Sequence, residues 1–373
     1  MSKKIAIFHN FMDNIGGAEI VDLILARGLN ADIYTTNFDK DKIKKMGFED
    51  VSPRIFSIGK IPINAPFRQE LAYWKFRKLN LGKRYDFYIV AGDWAMAGAI
   101  NNKPNFWYVF SPMREIWDLY KYTRNNSVTF LKRPLFDLWV LYRRYLIKKD
   151  TRRIKNIFCI SQNVQKRVKK YLKREGEVIY PPIETSKFKY KKMGDYWLSV
   201  NRLINHKRID MQLKAFEKLP NEKLIIVGSY EKSKHFQEYA NYCKKIKPKN
   251  VEILSWVDDK KLIELYSSCK GFITTALDED FGVTPIEAMA SGKPVIAPNE
   301  GGYKETILDG KTGRLIENIN SNKLIEAIKE VNEELKENKL KYKNNCLKQA
   351  KKFDTKIFID RIEKEIEKIL ENN

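Results

Sequence analysis

Short apolar runs alternate with longer amphipathic stretches along the chain. Lys4–Phe8, Asp32–Thr35, Phe87–Val90, Trp107–Phe110 and Ile157–Ile160 have the length and the bounding turns of buried strands. Between the first two, Ala18–Gly28 carries its apolar positions at helical spacing, opened by Gly16 and Gly17. The rhythm breaks at Tyr180–Asp195, where two prolines are followed by a basic polar run, and this stretch reads as a linker. The alternation then restarts. Trp197–Val200, Leu224–Val227, Val251–Ser255, Phe272–Thr275 and Pro294–Ala297 are expected as strands; Arg208–Lys218, Phe236–Ile246, Asp258–Ser268 and Pro285–Ala290 are expected as helices. From Asn320 onward the tail is helical and highly charged. Strands alternating with helices predict parallel sheets covered on both faces. Two such runs predict two doubly wound α/β domains, whose ligands bind at the carboxyl ends of the strands.

Composition narrows the class. Across 373 residues, 43% are hydrophobic and 31% charged, which is enough apolar material for a core in each half and excludes a disordered chain. The opening stretch MSKKIAIFHN lacks the length of a signal peptide, and no apolar run reaches the 18 or more residues of a bilayer span. Cys159, Cys243, Cys269 and Cys346 lie far apart and are expected as reduced thiols of a cytoplasmic protein. The three histidines have no metal-ligand spacing, so no metal is expected. The net charge of +23 points to an anionic partner, and composition alone leaves nucleic acid, an anionic membrane and a phosphorylated substrate open.

Chemistry concentrates in Asp278–Ile316. Glu279 falls in a loop after a strand, and Glu287 in the first turns of a helix opened by Pro285. Such a loop and helix would bring two carboxylates to one crevice, and the helix N-terminus beside Gly282 offers unpaired N–H donors to an anion. A capped surface helix next to an acidic loop would have the same spacing. A second segment, Ser199–Asp210, sets Arg202 and Lys207 five residues apart between a strand end and a helix start. Two fixed cations there would stabilise a diphosphate leaving group more in the transition state than in the ground state. Each charge-assisted bond of that kind is worth about 1.5–3 kcal/mol. Gly310-Lys311-Thr312 ends like a phosphate-binding P-loop, but position 305 is Glu305 where that motif has glycine.

The series Glu279, Phe281, Gly282, Glu287, Ala288, Gly292, Pro294, Val295, Gly301, Gly302, Glu305 and Gly313 resembles, in order, the donor-binding signature of glycosyltransferase family 4. That resemblance implies the GT-B fold, two facing Rossmann-like domains with a central cleft. The first domain, 1–186, would bind the acceptor; the second, 187–354, would bind the donor; and a terminal helix, within 355–373, would pack back on the first. It implies that Glu287 holds the donor ribose, that Glu279 contacts the transferred sugar, and that the backbone of Gly282 and Val283, beside Phe281, lies over the sugar and phosphates. Arg202 and Lys207 would take the place of a metal. Gly16 and Gly17 would face the donor phosphates and the acceptor. Tyr108, Ser111, Pro112, Arg114 and Trp117 are similar to a Y-x-H-x-P-x-R-x-x-W run found in a mannosyltransferase-like subset of the family, with Phe110 where the run has histidine. Phe110, Arg114 and His9 would then lie on the acceptor or sugar side.

The activity so implied is retaining transfer of a hexose, from GDP-mannose or another GDP- or UDP-sugar, to a hydroxyl of a glycan or lipid-linked acceptor, without a cofactor. A phosphorylase or epimerase of the same fold, and a non-catalytic nucleotide-sugar or nucleic-acid binder, are the rivals; nucleic acid is not the expected partner. Pro134–Lys149 is helical, aromatic and basic, with Leu135, Leu138, Trp139, Tyr142 and Leu146 in one stripe. Together with Phe67–Lys78 it suggests peripheral contact with an anionic membrane, at the inner face of the cytoplasmic membrane; a helix packed on the N-terminal sheet would show the same stripe.

Overall fold

The computed structural model describes residues 3–13, 16–63, 65, 67–228, 234–255 and 257–372. Met1 and Ser2, part of the opening stretch considered above, lie outside them. The chain divides into two compact units, Met1–Pro182 with Lys356–Asn373, and Ile183–Thr355.

The first unit is built on seven parallel strands: β1 (Ile5–Phe8), β2 (Asp32–Thr35), β3 (Ile55–Ser57), β4 (Phe87–Val90), β5 (Asn105–Val109), β6 (Asn156–Cys159) and β7 (Glu177–Val178). Their order is β3-β2-β1-β4-β5-β6-β7. The central strands β1, β4 and β5 are buried along their whole length, as a parallel sheet covered on both faces requires. The edge strands β3 and β7 were not among the expected strands. Each is two or three residues long and largely exposed, so neither carries an apolar run to betray it. The helix Thr355–Glu371 closes this unit. Its Phe358 ring lies 5.8 Å from that of Tyr108 on β5, and Arg361 pairs with Glu177 on β7 at 3.3 Å.

The second unit has six parallel strands: β8 (Tyr196–Val200), β9 (Lys223–Val227), β10 (Val251–Leu254), β11 (Gly271–Ile273), β12 (Val295–Pro298) and β13 (Gly313–Ile316). They are ordered β10-β9-β8-β11-β12-β13. The order reverses between β8 and β11, the position at which an open parallel sheet forms its ligand crevice. In each unit the apolar side chains of the strands meet covering helices such as Gly17–Leu29 and Ser321–Glu337, whose inner faces are buried.

The helix Arg133–Thr151 divides the stripe expected of it. Val140, Leu146 and Ile147 are buried with Arg143 and Asp150, whereas Leu135 is 70% and Leu138 66% exposed. Trp139 turns inward and donates its indole N–H to Glu70 at 2.8 Å. All four cysteines are free and buried. Among the described residues no helix is long and apolar enough to cross a membrane.

Candidate functional site

The crevice of the second unit forms where β8 and β11 end side by side. After β8 the chain runs through Arg202, whose side chain is exposed, into a single helical turn, Asn205–Lys207. Arg208 follows with φ of 51°, in the left-handed region, and starts the helix Ile209–Glu217. Strain of that kind persists only where neighbours hold it. Here Arg208 Nε donates to the Thr275 carbonyl at 2.5 Å, and Thr275 Oγ1 donates to the Lys207 carbonyl at 2.8 Å. Leu277 N donates to the His206 carbonyl at 2.7 Å. The turn is thereby sewn to the segment leaving β11, and Lys207 meets Glu279 with Nζ 2.5 Å from Oε2. The two expected partners of the leaving group and the sugar thus form one ion pair, mostly shielded from water.

Two glycines shape the loop that carries Glu279. Gly282 has φ of 91°, and a Cβ there would lie 2.7 Å from the Tyr303 ring. A Cβ on Gly302 would lie 2.5 Å from Cα of Phe281, so the turn at Gly301-Gly302 lies directly against the loop backbone. The Gly302 N–H closes the contact on the Glu279 carbonyl at 2.8 Å. Only residues without a side chain permit this approach. Phe281 turns into the core of the unit, its ring 5.5 Å from that of Phe353. Val283 opens the helix Val283–Ala290. That helix carries Glu287, which accepts a hydrogen bond from Tyr266 Oη at 2.7 Å. Loss of water raises the Glu287 carboxyl to about 7, against the lowering effect of the tyrosine bond. A carboxylate so placed gains from any further hydroxyl donor.

In the first unit, His9 stands just past the end of β1 and is buried. Its Nδ1 lies 2.5 Å from Asp22 and its Nε2 3.1 Å from Glu19, both on the helix Gly17–Leu29. Burial pulls the imidazole pKa down, but the charges and hydrogen bonds of Asp22 and Glu19 outweigh it and raise it to about 10. Both carboxylates therefore favour the protonated ring, and burial opposes them. Glu19 also accepts from the Gly16 N–H at 2.8 Å, so the glycine turn is tied through Glu19 to His9. At Gly17 an added Cβ would meet nothing within 4 Å among the described residues.

The Phe110 ring stands edge-on to His9, 6.5 Å between centroids. Arg114 is held by Asp118, four residues on, at 2.8 Å. Tyr108 is buried with its hydroxyl on the Ile179 carbonyl, and Trp117 stacks on Tyr171 at 5.2 Å. Four participants escaped the sequence: Asp22, Tyr266, Arg208 and Tyr303. Asp22 is three residues after Glu19 and shares its helix face, a signal that spacing could have given. Tyr266 and Tyr303 come from separate elements, and only the fold brings them in.

Two parallel sheets of this order, with cations and carboxylates at the strand ends of the second, define the class: the fold is that of the GT-B glycosyltransferases. Residues 182–353, nearly all of the second unit, match the family described as Glycosyl transferases group 1. The chain is 31% identical to an uncharacterized glycosyltransferase, MJ1178, of Methanocaldococcus jannaschii over 198 residues, 52% of this chain and 54% of that protein. It therefore spans about half the length of that relative. It is 26% identical to the alpha-1,3/1,6-mannosyltransferase ALG2 of Candida glabrata over 92% of this chain and 87% of that one. In fold it is similar to Anabaena Alr3699/HepE, solved in complex with UDP and glucose, with a TM-score of 0.76 at 17% identity, covering 98% of this chain and 100% of that one.

Proposed function

We propose that the chain is a retaining, metal-independent hexosyltransferase, with the nucleotide-sugar donor on the Ile183–Thr355 unit and the acceptor hydroxyl on the other. The observation that carries this reading is the Lys207–Glu279 pair at the ends of adjacent strands, with Glu287 on the helix that follows. A donor diphosphate carries more negative charge than Glu279 and displaces it from Lys207. Lys207 and Arg202 then neutralise the charge that grows on the leaving group as the glycosidic bond breaks, the role a divalent ion has in other transferases. Glu279, released, accepts from a hydroxyl of the sugar. Glu287 accepts from the ribose hydroxyls, and the N–H groups of Gly282 and Val283, at a helix N-terminus, face the phosphates. The imidazolium of His9, held by two carboxylates, serves as a fixed positive charge on the acceptor side and not as the base.

Similarity to a mannosyltransferase over most of the chain supports GDP-mannose as donor. Phe110 in place of the histidine of the mannosyltransferase-like run supports a UDP-hexose as the second reading. Exposed Leu131, Leu135 and Leu138, set among basic residues, support peripheral contact with an anionic membrane, at the cytoplasmic face.

Thermal shift against GDP, UDP, ADP and their sugars tests the donor site, because a ligand that binds only the native state raises its melting temperature. GDP-mannose is expected to give the largest shift. Glu287→Ala and Lys207→Ala are each expected to remove most of it, and Glu279→Ala to keep nucleotide binding while losing transfer. An undiminished shift in Lys207→Ala contradicts the diphosphate site.

A further inference from the structure

Lys207 reaches Glu279, and the next residue, Arg208, takes a different set of partners. Its Nε donates to the Thr275 carbonyl at 2.5 Å and its Nη2 to the Ala276 carbonyl at 3.2 Å, and the same Nη2 pairs with Glu300. We propose that Arg208 and Glu300 form a clamp that holds Lys207 and Glu279 in position for the diphosphate of the donor; this rests on the reading of that ion pair as part of the donor site. Both act through Lys207 and Glu279, so both are positioning residues.

Three observations carry it. The first is topology. β8, β11 and β12 are neighbours in the sheet. Arg208 lies in the segment after β8, Thr275 and Ala276 in the segment after β11, and Glu300 in the segment after β12. One guanidinium therefore spans three neighbouring strand-end loops. Arginine suits that task because its planar fork offers several donors in fixed directions.

The second is where the two ends of the clamp fall. Arg208 is joined in sequence to Lys207. Glu300 is followed by Gly301, where an added Cβ would lie 2.5 Å from the Glu279 carbonyl oxygen and 2.6 Å from the Glu279 nitrogen. One end thus fixes the backbone that carries the cation, and the other presses on the backbone that carries the carboxylate. Thr275 adds a cross-tie: its hydroxyl accepts from Gln212 Nε2 at 2.9 Å and donates to the Lys207 carbonyl at 2.8 Å. Both Thr275 and Gln212 are buried. A diphosphate gains most from cations that are already fixed, since nothing then has to reorganise as charge develops. A misplacement of about 1 Å in such a site costs on the order of 10²-fold in rate.

The third is strain. Arg208 has φ of 51°, and Asp278, between the clamped carbonyls and Glu279, has φ of 45°. Both stand in the left-handed region, where a side chain carries a cost. Glycine would adopt the Arg208 backbone freely, but it has nothing with which to reach Glu300. The strained arginine is retained beside the ion pair because its side chain ties the loops together.

Calorimetric titration of GDP, UDP and ADP into the full chain tests the clamp. Arg208→Gly relaxes the backbone and removes the guanidinium. It is expected to weaken binding of the preferred nucleotide about tenfold, the order of one charge-assisted bond. The Arg208 and Glu300 side chains are 22% and 34% exposed, so the hole left behind is open to solvent. At a temperature where the variant is folded, guanidinium chloride at about 50 mM is expected to restore roughly threefold of the lost affinity, and sodium chloride at the same concentration to restore none. Adding Glu300→Gln to Arg208→Gly is expected to abolish that recovery, because the anionic end of the clamp is gone. A residue that only stabilises the fold gives no such guanidinium-dependent affinity. Undiminished binding in Arg208→Gly overturns the clamp, and so does a loss that guanidinium leaves in place. Glu300→Gln alone keeps the proposal open to refutation should the glycine variant not fold: about threefold weaker binding is expected, and unchanged affinity overturns it. A wild type that binds none of the three nucleotides removes the donor-site reading and this role with it, an outcome distinct from wild-type binding that the variants leave intact.

Discussion

At the scale of single residues, the proposed donor site turns on the ion pair between Lys207 and Glu279, which a bound diphosphate would have to break on that reading. Lys207 and Glu279 satisfy each other at 2.5 Å while mostly shielded from water, and the cost of desolvating both offsets most of their attraction, which leaves a net worth of about 1 kcal/mol. Glu279→Gln removes the competitor for Lys207. Affinity for GDP or UDP is expected to rise by up to about fivefold in calorimetry. Transfer is expected to fall about 10²-fold, because the sugar contact is lost at the reacting end. Weaker nucleotide binding in this variant would show that Glu279 does not compete for Lys207. Glu287 supplies a second test, through pH. Burial raises its carboxyl pKa to about 7, above the ordinary 4.5. The folded chain therefore keeps a proton that the unfolded chain has released between about pH 4.5 and 7, and this group's contribution to stability falls as pH rises through that window. Accepting from ribose hydroxyls needs the carboxylate, so affinity moves the other way. A nucleotide-sugar, whose diphosphate ester does not titrate in this range, is expected to bind about tenfold tighter at pH 8 than at pH 6. Glu287→Gln is expected to flatten that profile, and an unchanged slope would assign the titration elsewhere.

Among the elements, the junction between β1 and the helix Gly17–Leu29 depends on one buried cation. His9 neutralises Asp22 and Glu19, and Glu19 fixes the Gly16 N–H at the helix start. Removing one partner of a buried pair leaves an uncompensated charge, which costs about 3–5 kcal/mol. His9→Gln is expected to lower stability by that order in urea denaturation, and adding Asp22→Asn to recover part of it. The pH dependence has a definite sign. The imidazole is raised from 6.5 to about 10, so its stabilisation is complete below pH 6.5 and is lost as pH climbs toward 10. The wild type is expected to lose stability over that interval and His9→Gln to lose less. Strands with four or five apolar residues in sequence, such as β4 and β9, could be read from the chain, because burial on both faces of a parallel sheet writes a continuous run. β13 could not: Gly313 and Arg314 begin it, and Gly313 is required by its φ of 145° and by a Val295 carbonyl in the place of a Cβ. Arg202, Lys207 and Glu279 of the second unit stood out in the sequence because each lies in a segment that leaves a strand, and Glu287 because it lies in the helix that follows. The partners that orient them were not, since Tyr266 reaches Glu287 only through packing of one helix on another.

On the scale of the whole molecule, the excess of +23 has to act on something. Two discrete cations at the donor site account for little of it. A basic, aromatic helix with Leu135 and Leu138 turned to solvent accounts for more, because it joins exposed apolar area to a local excess of positive charge. Neither contribution alone fixes a protein to a bilayer: each basic residue near an anionic surface is worth about 1 kcal/mol, and a few half-inserted leucines add a similar total. Together they predict reversible binding that depends on both. In vesicle flotation the chain is expected to associate with membranes containing phosphatidylglycerol at 50 mM salt and to leave them at 500 mM, where the Debye length shrinks to a few ångströms. Leu135→Glu with Leu138→Glu is expected to reduce the association at low salt, although the double change alters the charge by only a small part of the total. If the variant floats as well as the wild type, net charge alone draws the protein to the surface and the exposed leucines have no part in it. If the wild type stays with the vesicles at high salt, the apolar contribution is the larger one, and the basic helix then serves to orient the first unit on the membrane.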